Sequence, residues 1–294
     1  MCETCGCSDD SSVRITDPAE RRSAHGLGYA SFHALAEGAP HQHEHSHGHD
    51  HSHEHPHDHD HVHGHDHNAS RTIRIEQDVL AKNELIAERN RGWFKGRGIL
   101  ALNLMSSPGA GKTTLLERTI AELANEVPIS VIEGDQETMR DAERIRAAGA
   151  RAIQINTGSG CHLDAQMVSM ALAKLGPPVH SVMMIENVGN LVCPALFDLG
   201  EAEKVVIVSA TEGEDKPLKY PHMFHAAGLM LLNKIDLIPH LEFDVERCIR
   251  FAQQVNPNLE ILRVSARTGD GIDRWFNWLR ARIEKLGTES AAPV

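Results

Sequence analysis

The chain has 294 residues and a formal net charge of −12 at pH 7, enough for one large folded domain with extensions and too long for a peptide or a small disulfide scaffold. Residues 1–70 hold twelve Asp/Glu against Arg14, Arg21 and Arg22, a charge of −9 that leaves −3 for the rest, and neither part is basic enough to argue for nucleic acid. No apolar run approaches the ~18–20 residues of a membrane span and no basic-then-apolar leader opens the chain, so a cytoplasmic protein without membrane insertion is expected.

At the N-terminus, Cys2, Cys5 and Cys7 pack three thiols into six residues. Such a cluster suits a soft metal ion, with the α-amino group as a candidate fourth donor. Residues 8–70 are poor in large apolar side chains and are expected to form a mobile tail, with one short element suggested near Tyr29–Leu35. Within it, His41, His43, His45, His47, His49, His51, His53, His55, His57, His59, His61, His63, His65 and His67 alternate with small, acidic and polar residues. Neutral imidazoles on a flexible backbone should load several Ni²⁺ or Zn²⁺ ions and release them as pH falls through about 6. The expected division is a metal-binding region over 1–70 and a nucleotide-binding domain over 71–294.

From Ile73 to Arg91 the apolar positions Ile75, Val79 and Ile86 predict an amphipathic helix ending near Gly92. Strands are expected at Ile99–Met105, Ile129–Glu133, Ala152–Ile155, Val182–Ile185, Lys204–Ser209, Leu229–Leu232 and Ile261–Val264. Helices are expected at Thr113–Ala124, Glu137–Ala148, Asp164–Leu175, Leu218–Ala227, Asp244–Gln254 and Ile272–Glu284. This alternation predicts an α/β fold with a mainly parallel sheet flanked by helices, binding ligands at the carboxyl ends of its strands.

The first strand of this series runs into Ser106-Ser107-Pro108-Gly109-Ala110-Gly111-Lys112-Thr113-Thr114, and a helix follows, which is the context a phosphate-binding loop requires. Backbone N–H groups around Gly109, Ala110 and Gly111 would cradle the phosphates, Lys112 would reach the β- and γ-phosphates, and Thr113 would ligate Mg²⁺. Ser106 stands where the first glycine of the motif is usual. Asn233-Lys234-Ile235-Asp236 follows another strand, where Asp236 can accept from guanine N1–H and the 2-amino group, a pairing adenine does not offer. The nucleotide is therefore expected to be GTP or GDP, with Ser265 and Ala266 completing the base pocket through backbone N–H groups. Glu186 and Gly189 lie where P-loop GTPases carry an acidic residue and a γ-phosphate-sensing glycine. Glu186 and Asp135 would hold Mg²⁺ through water or position the attacking water. With Lys112 and Thr113 they form the expected catalytic set.

Cys161-His162 and Cys193 fall in loops after two of these strands and offer two thiolates and an imidazole for Zn²⁺ or Ni²⁺. Cys193 is four residues beyond Gly189, so movement of Gly189 toward a γ-phosphate would also move a metal ligand. Cys248, alone on a helix, reads as a core residue.

Taken together, Ser106–Thr113, Glu133-Gly134-Asp135-Gln136, Cys161-His162, Glu186–Pro194, Asn233–Asp236 and the Cys2/Cys5/Cys7 head resemble the HypB family of hydrogenase maturation GTPases, the nickel incorporation proteins. That resemblance implies a P-loop NTPase fold, GTP hydrolysis and a homodimer favoured by GTP. It also implies a metal site of Cys161, His162 and Cys193 near the dimer interface, and nickel passage to the [NiFe]-hydrogenase large subunit with a HypA-type nickel chaperone. A His-rich tract, present in some members only, implies storage beside delivery. The urease maturation GTPases share the His-rich habit but carry Cys-Pro-His as one loop. A nickel or zinc store with a vestigial GTPase fold would not need Lys112, Thr113 and Asp236.

Overall fold

The structure, a computed structural model, describes residues 14–17, 67–135, 140–158 and 160–291. In chain order it forms β1 (Arg14–Thr16), α1 (His67–Gly96), β2 (Leu100–Ser106), α2 (Lys112–Leu123), β3 (Ile129–Asp135), α3 (Arg140–Ala147), β4 (Arg151–Asn156), α4 (Ala165–Leu175) and β5 (Val182–Glu186). There follow α5 (Cys193–Leu196), β6 (Glu203–Ser209), α6 (Lys216–Lys219), α7 (Pro221–Ala226), β7 (Leu229–Asn233), a 3₁₀ turn (Ile235–His240), α8 (Val245–Val255), β8 (Glu260–Arg263) and α9 (Ile272–Ala291). The expected strand–helix alternation is present.

The strands make one sheet in the order β1-β4-β3-β5-β2-β6-β7-β8, parallel throughout except at β1. Near-continuous apolar strands are what a sheet covered on both faces demands. Alternate residues serve opposite layers: Leu100, Leu102, Leu104, Val205, Ile207, Leu229 and Leu231 pack with Leu115, Leu116, Trp275 and Leu279 of α2 and α9. Ala101, Met183 and Ile185 face α4, while Val206, Val208, Met230 and Leu232 face α7 and α8. Trp275 Nε1 donates to Thr119 Oγ1 at 2.9 Å, which satisfies the indole where it joins α9 to α2. The chain leaves β2 for one half of the sheet, returns at β5 beside β2, and then builds the other half from β6. The carboxyl end of β2 thus lies at the switch in winding, where a crevice opens.

Four expectations need correction. Arg14–Thr16, assigned to a mobile tail, pairs antiparallel with β4, and the ion pair of Arg146 with Asp17 (2.9 Å) and the bond from Lys174 Nζ to the Ile15 carbonyl (3.0 Å) hold it. His67 likewise opens α1, so the boundary near residue 70 falls inside a helix. The inward face of α1 is Asn83, Ala87, Asn90 and Phe94, with Val79 exposed and Ile86 half-buried. The helix expected over Leu218–Ala227 is two, because Pro221 has no N–H to continue it and Tyr220 sits at φ −128° and ψ 55°, outside the helical region. The Tyr29–Leu35 element and the start of the helix expected from Glu137 lie outside the described residues.

Candidate functional site

At the end of β2 the backbone turns through Gly109 (φ 74°) and Gly111 (φ 100°), left-handed conformations that favour glycine. A Cβ on Gly111 would sit 2.5 Å from Asn233 Nδ2, so the close approach of these two loops also requires glycine there. Ser106, the departure from the usual motif, is fully buried. Its hydroxyl accepts from Lys112 Nζ at 2.7 Å and donates to the Ser107 carbonyl at 2.6 Å, which anchors the lysine in the cradle. Ser107 Oγ in turn donates to Glu212 Oε2 at 2.6 Å, and Lys216 lies 3.4 Å from that carboxylate.

A cleft of about 580 Å³ opens here, lined by Gly109, Gly111, Lys112, Thr113 and Thr114 on the loop side and by Asp135, Glu186 and Gly189 across from it. Residues outside the expected set line it too, among them Glu133, Asp141, Arg144 and Asn187. Glu133 and Glu186 are register partners on β3 and β5. Thr113 Oγ1 donates to Glu186 Oε1 at 3.1 Å, while Glu186 Oε2 and Glu133 Oε2 are buried without a hydrogen-bond partner. Burial pushes Glu186 up to about 7 despite Lys112 nearby, and burial together with the Glu186 charge pushes Glu133 up to about 9. Burial also pulls Lys112 down, opposed chiefly by Glu186.

Of the residues expected to recognise the base, Lys234 lines this cleft, while Asn233, Asp236, Ser265 and Ala266 do not. Asn233 pins two loops together, donating from Nδ2 to the Ala110 carbonyl (2.9 Å) and accepting at Oδ1 from Ala266 N (3.0 Å). Lys234, at φ 62°, donates from Nζ to the Gly109 carbonyl at 2.7 Å. Asp236 Oδ1 accepts from Ser265 Oγ at 2.6 Å. The backbone donors expected of Ser265 and Ala266 are committed within the loops, Ser265 N to the Asp270 carbonyl (2.8 Å) and Ala266 N to Asn233. The Ser265 hydroxyl, by contrast, is directed at Asp236.

Beside the phosphate cleft, Cys161, His162 and Cys193 bring their donor atoms within 4.8 Å of one another. Cys161 Sγ lies 3.1 Å from Cys193 Sγ and 3.6 Å from His162 Nδ1. The His162 ring stacks on Phe197 with centroids 3.9 Å apart, and burial lowers its pKa, which keeps the imidazole in the neutral form that binds metal. Lys204 holds the α5 end of the site by donating to the Ala195 and Phe197 carbonyls at 3.0 and 3.1 Å. Cys248 is buried in the core as expected, its thiol pushed up to about 12 by burial. Cys2, Cys5, Cys7 and the histidines from His41 to His65 lie outside the described residues.

Asn187 joins the two sites. Its Oδ1 accepts from Leu163 N (3.1 Å), directly after His162, and from Val188 N (3.0 Å), while its Nδ2 donates to Asn103 Oδ1 (3.2 Å). Asn103 continues to Glu201 Oε1 at 3.1 Å, and Glu201 Oε2 accepts from Leu199 N at 2.7 Å. From α1, Asn90 bonds the carbonyls of Ala165 (2.8 Å) and Leu199 (3.1 Å), and Asn83 bonds Ala165 N and the Asp198 carbonyl. Gly189 packs against the phosphate loop, where an added Cβ would lie 3.0 Å from Pro108 Cγ. Asn190 Nδ2 reaches the Cys161 carbonyl at 3.3 Å.

Residues 100–263 match the family model for the CobW/HypB/UreG nucleotide-binding domain. The hydrogenase maturation factor HypB of Azotobacter vinelandii is 60% identical over 231 residues, 76% of each chain. That of Cupriavidus necator is 46% identical and covers 99% of this chain and 91% of its own. Crystal structures of HypB from Archaeoglobus fulgidus (42% identical) and of Helicobacter pylori HypB in complex with nickel (37% identical) both superpose with a TM-score of 0.65. Each covers 69% of this chain, with 99% and 96% of their own chains included. With the glycine-lined phosphate loop, the buried carboxylates and the Cys/His cluster on one edge of a parallel sheet, these likenesses show that the chain belongs to the CobW/HypB/UreG family and, within it, to the HypB hydrogenase maturation factors.

Proposed function

We propose that this chain hydrolyses GTP to GDP and phosphate and uses the nucleotide state to control a transferable nickel ion destined for the [NiFe]-hydrogenase active site. The observation that carries this reading is the sharing of β5 and its following loop by both sites. Glu186 and Gly189 line the phosphate cleft, Asn187 bonds the backbone beside His162, and Cys193 follows in the same run.

In the reaction, the backbone N–H groups from Gly109 to Thr113 and the Lys112 ammonium stabilise the negative charge on the phosphates. Mg²⁺ fits the carboxylate end of the cleft, because Glu186 Oε2 is a buried oxygen without a partner and the Thr113 hydroxyl lies beside it. Thr113, Glu186 and, through water, Asp135 would hold the ion, which supplies neutralisation of charge on the β- and γ-phosphates. Asp135 or Glu186 orients the attacking water, and Asp236, set by Ser265, selects guanine.

Nickel is cargo at Cys161, His162 and Cys193, a site that Zn²⁺ also suits, and three protein donors leave a position open for transfer. Gly189 is the point where the γ-phosphate acts on this loop. GTP favours a homodimer, a HypA-type nickel chaperone and the hydrogenase large subunit are the partners, and the His41–His67 tract stores nickel in the cytoplasm. Among the described residues no helix is long and apolar enough to cross a membrane. The test is phosphate release from GTP by the full chain with Mg²⁺, alongside nickel titration with GDP and with a non-hydrolysable GTP analogue. GTP turnover and a nickel affinity that differs between the two nucleotides are expected. Absence of turnover, or equal affinities, refutes the corresponding half.

A further inference from the structure

Among the described residues the phosphate cleft is lined by four carboxyl side chains, Glu133, Asp135, Asp141 and Glu186, and by three cations, Lys112, Arg144 and Lys234. Two of the cations belong to one side. Lys112 is tied to Ser106 and Lys234 to the Gly109 carbonyl, both on the phosphate loop. On the opposite wall, among the described residues, the carboxylates are accompanied by one lining cation, Arg144 of α3. Phosphoryl transfer spreads negative charge over the equatorial oxygens of the γ-phosphoryl group. Of the carboxyl groups on that wall, Glu133 and Glu186 are pushed toward the neutral form by burial, which leaves Asp135 and Asp141 to oppose that charge.

Arg144 is placed and held as a donor for it. Its Nε and Nη2 donate to the two oxygens of Glu117 at 2.9 and 2.6 Å, and its Nη1 to Asp141 at 3.0 Å. These bonds use three of the five N–H donors of a guanidinium. Glu117 lies on α2, the helix whose first turn forms the floor of the phosphate cradle, so the latch is attached to the element that holds the phosphates. The Arg144 side chain is 43% exposed, so it can turn without unpacking a core.

We propose that Arg144 is a catalytic residue, an arginine finger supplied by the chain itself that moves from its Glu117–Asp141 latch onto the γ-phosphoryl oxygens in the transition state. The proposal rests on the GTPase reading above. In the step it serves, the water oxygen bonds to the γ-phosphorus as the bond to the β–γ bridging oxygen breaks. The electron pair of that bond leaves with GDP, and the water protons end on inorganic phosphate or in solvent. Arg144 donates hydrogen bonds throughout and keeps its own proton.

The experiment uses the full chain with Mg²⁺ and GTP, comparing the parent with Arg144→Ala, Arg144→Lys and Glu117→Gln. The control is Arg280→Ala, which removes an equally well-made fork to Glu126 (2.7 and 2.6 Å) on the surface away from the cleft. Arg144→Ala should lower kcat by about 10³-fold, the low end of the range known for arginine fingers, with KM for GTP within about 3-fold. Arg144→Lys, which keeps the charge and loses the fork, should recover little. Glu117→Gln should keep or raise kcat, and Arg280→Ala should match the parent. A second readout is binding of GDP with aluminium fluoride, a mimic of the planar phosphoryl group. The parent should bind it and Arg144→Ala should not, although both bind GDP alone equally. If Arg144→Ala fails a thermal melt, Arg144→Lys carries the comparison. Turnover in Arg144→Ala within 5-fold of the parent, or an equal loss in Arg280→Ala, overturns the proposal. Absence of turnover in the parent overturns the GTPase reading first and this proposal with it.

Discussion

Replacing Asn187 with alanine should separate the two sites. The substitution leaves Leu163 N–H and Asn103 Oδ1, both buried, without the partners they have at 3.1 and 3.2 Å, and it also removes the local acceptor of Val188 N. A buried polar group left unpaired costs about 1–3 kcal/mol. Two long-range orphans, with some relaxation, should therefore cost about 2–4 kcal/mol of stability. Because Leu163 follows His162, the metal loop would no longer be fastened to the strand that carries Glu186. If nucleotide state reaches the metal through this fastening, an ordinary coupling of about 1–3 kcal/mol gives the parent roughly a 5–150-fold difference in nickel affinity between GDP and a GTP analogue. Asn187→Ala should shrink that difference to within about 2-fold. The assay is nickel competition against a chromophoric chelator, with urea unfolding run in parallel. Signal from the N-terminal thiols and histidines is subtracted using a chain carrying Cys161→Ala and Cys193→Ala. A nucleotide effect that survives the expected loss of stability would refute the route through Asn187. An unchanged stability would refute the bonds themselves.

Asp236→Asn should weaken GTP by about 10²-fold or more and improve xanthosine triphosphate, whose 2-oxo group accepts a hydrogen bond; unchanged GTP affinity would remove Asp236 from base recognition. Deleting residues 39–66, which stops short of α1, should remove most low-affinity nickel capacity by equilibrium dialysis. It should leave GTP turnover within about 2-fold, and a ten-fold fall would make the tract part of the catalytic unit. Glu133 and Glu186 bind protons more tightly folded than unfolded, at about 9 and about 7. Their contribution to stability is thus complete below the unfolded carboxylate value and is lost as pH rises through about 7 and then about 9. In metal- and nucleotide-free buffer the urea midpoint should fall from pH 5.5 to 8.5, and Glu133→Gln should flatten the fall. A midpoint that rises over this range contradicts the assignment.

The parallel sheet and the phosphate loop were legible in the sequence because both depend on local signals. Apolar runs bounded by turns mark the strands, and Gly109 and Gly111 supply conformations that other residues rarely adopt. The inward face of α1 was not legible, since Asn83 and Asn90 are buried to bond backbone groups of Ala165, Asp198 and Leu199, more than seventy residues away. Amide side chains at helical spacing look like a solvated face until those partners are known. Asn187 was visible in the motif, but its bonds to Leu163 and Asn103 depend on strand order. Arg144 and Asp141 offered no signal beyond a charged helix. At Ser265 and Ala266 the spacing gave no sign that the backbone donors expected to face a base are used within the loops, by the Asp270 carbonyl and Asn233 Oδ1.

The antiparallel pairing of β1 has a consequence for the chain that precedes it. Arg14 is opposite Asn156, the last residue of β4, and Cys161 lies five residues further along that strand's loop. The N-terminal segment thus joins the sheet at the ligand edge, and Cys7 is seven residues upstream of the junction. At most ~3.3–3.6 Å per residue, that leash cannot exceed about 25 Å. Transfer of an ion from Cys2, Cys5 or Cys7 to the Cys161 loop of the same chain would run at an effective concentration set by that tether, in the millimolar range for a short flexible linker. Exchange of an ion between them would then be first order in protein, with a rate that dilution does not change.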